Sequence, residues 1–120
     1  MREREIPQLI ARVERLGDKL SATLRRQGYE VNLSCWNDKP GCIVWVWTRG
    51  MPVAEFVILH KSTRWYWYRA IHDNKIRNRD HMLALSRASA TTLVWARKNK
   101  VAWTDRDVFG KDVRPLGEVQ

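Results

Sequence analysis

Trp45-Val46-Trp47-Thr48-Arg49 is echoed twenty residues later by Trp65-Tyr66-Trp67-Tyr68-Arg69, so each copy reads Trp-x-Trp-x-Arg. Side chains alternate along a strand, and within each copy the two indoles and the arginine therefore share a face. Flat aromatic faces accept unpaired bases at about 1–3 kcal/mol each, and a guanidinium either stacks or holds phosphate. If the two copies agree in register on one sheet, four indoles and two guanidinium groups line one face. If that face is instead packed beneath helices, Tyr66, Tyr68 and Arg64, on the reverse of the second copy, become the exposed set.

The second copy sits inside a basic block. Residues 61–100 carry ten basic and two acidic groups, a net of +8 out of +9 for the whole chain. A uniform solubility coat does not concentrate charge in one third of a chain, whereas a surface that attracts a polyanion does. Lys61, Arg64, Arg69, Lys75, Arg77, Arg79, Arg87 and Lys98 are the candidate phosphate contacts, with Arg97 and Lys100 adding to the block. Trp65, Tyr66, Trp67 and Tyr68 are the candidate stacking residues. About five phosphate contacts would give a log–log salt slope of roughly −3.5 on single strands or −4.5 on duplex DNA. The expected partner is RNA or DNA, or a protein machine bound to it. Exposed Trp, Tyr and Arg are equally the residues of protein hot spots, so an inhibitor or interaction module docking on a nucleic-acid enzyme is the second reading.

Catalysis is less well supplied. Metal-dependent hydrolysis wants clustered carboxylates, and residues 31–100 hold only Asp38, Glu55, Asp73 and Asp80. No phosphate-binding glycine loop or nucleophile elbow is present. Metal-free RNA cleavage needs only an acid or base and a cation, for which His60, Arg69 and His72 are the candidates; small basic ribonuclease toxins use similar residue types. Cys35 and Cys42 flank a turn without zinc-ligand spacing, and in a chain with no export signal they are expected as reduced thiols. No metal and no cofactor is expected.

The elements that must position these groups follow from periodicity. Ile6, Leu9, Ile10, Val13, Leu16, Leu20 and Leu24 form one helical stripe, stopped by Gly28. The same stripe would serve a homodimer through the N-terminal helix. Residues 29–36, 42–48, 53–60 and 64–71 then read as strands joined by short turns, which implies an antiparallel meander. A second helix follows over residues 80–98, with Met82, Leu85, Ser89, Leu93 and Ala96 as its inner stripe. A one-turn helix is expected around residues 105–109. The expected fold is thus α+β, a four-stranded antiparallel meander with an N-terminal and a C-terminal helix packed on it. A chain of 120 residues suits one domain, taken as residues 1–113, with 114–120 as a frayed tail. The longest uncharged stretches, 40–48 and 88–96, are too short to span a bilayer. The charged N-terminus lacks a signal-like apolar run, so a cytoplasmic location is expected.

Overall fold

The computed structural model describes residues 5–61, 63–70 and 79–104. The chain runs α1 (Ile6–Arg26), β1 (Glu30–Cys35), β2 (Gly41–Thr48), β3 (Met51–Lys61), β4 (Arg64–Ala70), α2 (Arg79–Lys98) and β5 (Val101–Trp103). The strands form one sheet in the order β1-β2-β3-β4-β5. The first four are antiparallel neighbours, and β5 lies parallel to β4. Over the described residues the fold is α+β with a five-stranded mixed sheet and two helices, which corrects the expected four-stranded antiparallel meander. Three residues are too few for a period-two pattern to register, so β5 leaves no signature in sequence. Its cause is tertiary: β4 offers an unpaired edge, and a chain returning through a helix arrives parallel. The pairing is prolonged by Thr104 N–H donating to the Trp67 carbonyl at 3.1 Å. The loop bearing His72, Lys75 and Arg77, the turn expected at 105–109 and the tail lie outside the described residues.

Helix α1 ends as its sequence dictates. Gly28 takes φ +98°, its N–H donates to the Arg25 carbonyl, and the Tyr29 N–H reaches back to the Leu24 carbonyl. This is a Schellman stop, which satisfies two carbonyls that the helix leaves open. The buried stripe Val13, Leu16, Leu20 and Leu24 packs on the protein's own sheet, so the face that would have formed a dimer seam is already used. Gly17 permits that contact, because a Cβ there would meet Leu33 Cδ1 at 2.7 Å. In α2 the inward face is His81, Leu85, Ala88, Ser89, Thr92, Trp95 and Ala96. Met82, expected inside, is 46% exposed. The large Trp95 and the small Ala88 and Thr92 set the inward direction, which a count of aliphatic residues misplaces.

Both helices lie on one face of the sheet and share one core with Val31, Cys42, Val44, Val46, Phe56, Ile58 and Trp67. The β2–β3 hairpin closes through Arg49 (φ +50°) and Gly50 (φ +73°), with Thr48 opposite Met51. Two positive φ values in a two-residue loop are the type I′ geometry that matches strand twist. Just beyond the turn, Trp47 pairs with Pro52 but Val46 pairs with Ala54, so Val53 is an extra residue on β3. This bulge sits beside a proline, which has no N–H to offer the ladder.

Candidate nucleic-acid interface

The bulge decides the fate of the aromatic repeat. Beyond it, Trp45 pairs with Glu55, and Glu55 with Ala70. Trp67 pairs with Ile58, and Ile58 with Cys42. Trp45 and Trp47 therefore share the open face of the sheet, while Trp65 and Trp67 point beneath the helices. The expectation of four indoles on one face is overturned, because one inserted residue inverts every later side chain relative to β2. Trp67 is fully buried and meets Phe56 edge-on at 6.1 Å. Trp65 is half-buried, its ring 4.8 Å from that of His60. Arg69 also turns inward and donates from Nη1 to Ser89 Oγ at 2.9 Å. Trp67 offers no ring face to a ligand, and Arg69 is engaged with α2.

The alternative set is the one the open face carries. Tyr66 and Tyr68 on β4 stand beside Leu59 and Val57 on β3, with Trp45 and Trp47 diagonally across on β2. Glu55 lies within this face. Burial first, and the Glu55 carboxylate second, push the Tyr68 phenol above its ordinary range. Tyr68 thus stays a neutral phenol, suited to packing and hydrogen bonding rather than to proton transfer.

Four of the cations stand together at one end of the sheet. Lys61 at the end of β3 pairs with Arg64 at the start of β4. Lys100 immediately precedes Val101, whose partner Trp65 follows Arg64. Lys39 lies two residues before Gly41, whose partner Leu59 lies two before Lys61. Lys39, Lys61, Arg64 and Lys100 thus stand at the same end of four neighbouring segments, and all four are exposed. At strand spacings of about 4.8 Å they span roughly 15 Å. The turn carrying Lys39 is tied to β3 by the His60 N–H donating to the Pro40 carbonyl at 3.3 Å.

Trp36 holds Lys39. Its Nζ sits 4.9 Å from the centroid of the Trp36 ring, a cation–π contact. The Trp36 ring in turn lies against Gly41, where any Cβ would collide with it and with Leu59. Trp36 and Lys39 were not among the sequence candidates. Their signal is faint: an aromatic and a lysine three apart across a turn, closed by a glycine.

The rest of the basic block divides. Arg79 and Arg87 are exposed on the first half of α2, and Arg87 lines a cleft with Arg49, Asp80 and Leu83 at the opposite end of the sheet. Lys98 lines a groove between the helices. Lys75 and Arg77 lie outside the described residues. The catalytic candidates do not converge: His60 and Arg69 share the inner face but are separated by the Ile58–Trp67 pair, and His72 is outside the described residues. Burial lowers the His60 pKa below its ordinary value.

Cys35 and Cys42 are free thiols on directly paired positions of the β1–β2 hairpin. Burial raises both pKa values, Cys42 by far the more. Among the described residues no three His, Cys, Asp or Glu side chains come together as a metal site, and no helix is long and apolar enough to cross a membrane. No protein family matches the chain, nor does any curated protein or solved structure.

Proposed function

We propose that the protein is a non-catalytic nucleic-acid binder whose phosphate contacts come from the sheet end bearing Lys39, Lys61, Arg64 and Lys100. The observation that carries the reading is the register. It stacks four cations from segments scattered over the chain into one row. Like charges on paired strand positions repel, and a polyanion laid along the row offsets that repulsion. Tyr66 is the open-face ring nearest the row, on the same β4 face as Tyr68, and supplies the adjoining aromatic surface.

The test is a salt titration of binding to labelled single- and double-stranded RNA and DNA. Four phosphate contacts give a log–log slope of about −2.8 on single strands and about −3.6 on duplex. Replacing Lys61 and Arg64 together by glutamine should remove about 1.4 from the single-strand slope. Affinity that ignores salt, or that survives the double replacement unchanged, refutes the assignment.

A further inference from the structure

A second surface lies on the outer side of the helix layer. Between α1 and α2 runs a groove of about 750 Å³. It exists because the helices face each other there through small side chains, Ala22 and Thr23 on one and Ala90 and Thr91 on the other. One end is pinned where the Thr91 hydroxyl donates to Gln27 Oε1 at 2.7 Å. From Gln27 back to Lys19 the groove follows α1 for about 12 Å.

Its lining has a distinct chemistry. Lys19 and Lys98 stand at one end and Arg26 at the other, and among the described residues no carboxylate lines it. Between the cations the surface is apolar: Val94 is 51% exposed, with Ala22 and Ala90 beside it. Trp95 also lines the groove, and its buried indole N–H meets no acceptor among the described residues. A large aliphatic side chain left half in water, framed by three cations, is complementary to an occupant that carries apolar and anionic groups together.

We infer that this groove docks an acidic amphipathic helix of a protein partner. A helical segment of about two turns matches the length, with aliphatic residues at three- and four-residue spacing over Val94 and Ala22, and carboxylates towards Lys19, Arg26 and Lys98. A nucleic-acid backbone fits less well, because phosphodiesters bring charge without the aliphatic face that Val94 requires. The inference is independent of the proposed phosphate row, since none of Lys39, Lys61, Arg64 and Lys100 lines the groove.

The test selects a displayed library of random helical peptides on the intact protein and repeats the selection on Val94→Asp, whose exposed site should leave folding unperturbed, with thermal unfolding as the check. Clones lost on the variant should be enriched in Asp and Glu over the input and carry aliphatic residues at helical spacing. Their affinity should fall at least tenfold on Lys19→Glu/Lys98→Glu. Three results overturn the inference: no clone sensitive to Val94→Asp, sensitive clones that are neutral or basic, or a single-stranded oligonucleotide that displaces the clones and itself loses affinity on Val94→Asp. The last would assign the groove to nucleic acid.

Discussion

Lys100 holds φ +59° two residues after the end of α2, a left-handed conformation that glycine adopts without penalty. Every L side chain there costs roughly 1–2 kcal/mol. Lys100→Gly should therefore raise unfolding stability in urea by about 1 kcal/mol, while weakening binding to single-stranded RNA at low salt. A gain in both would remove Lys100 from the phosphate row. His60 supplies a second test. Its folded pKa is depressed, so as pH falls below about 6.5 the unfolded chain takes up the proton first. Stability is then present above the unfolded pKa and is lost as pH drops through the folded one. The denaturation midpoint should fall on acidification, and His60→Phe, which keeps a ring beside Trp65, should flatten that fall. At this scale sequence was a partial guide. It separates Tyr66 and Tyr68 from Trp65 and Trp67 by face, as the register does, but assigns stacking to Trp67 and phosphate to Arg69, both of which the register turns inward.

Elements were more legible than their registers. The α1 stripe and its Gly28 stop, the four hairpin strands and the span of α2 follow from periodicity and turn chemistry, because each rests on local rules. What stayed hidden depends on distant partners. Strand β5 exists only because β4 has a free edge, and the inner face of α2 is fixed by the fit of Trp95 rather than by aliphatic count. The β1–β2 hairpin gives the prediction at this scale. Gly41→Ala places a methyl against the Trp36 ring and 2.6 Å from Leu59 Cδ2. An indole cannot give way as a flexible tip can, so the substitution should cost about 1–3 kcal/mol. It should also unseat Lys39 from its ring, which a lowered affinity for RNA would report. Unchanged stability would mean that Trp36 does not depend on that cleared floor.

Taken whole, the molecule puts its two helices on one side of the sheet and keeps Tyr66, Tyr68, Trp45 and Trp47 on the other. The positive charge that composition places in one third of the chain is split in space between the two ends of the sheet and the helix layer. Charge counting therefore overstates any single patch. On that basis, neutralising Arg87, which sits at the end away from the proposed phosphate row, should change RNA affinity less than twofold at moderate salt, where exposed charges beyond about 10 Å are screened. A tenfold loss in a direct titration would relocate the interface to the Arg49–Arg87 cleft.

The extra residue at Val53 also makes hairpin length the arbiter of which rings meet water. A one-codon deletion there would exchange the contents of the two sheet surfaces wholesale downstream of the turn, exposing Trp65 and Trp67 and interring the tyrosines. Point substitutions only trim what each surface carries. Tolerance to change in this segment should thus be governed by spacing before chemistry.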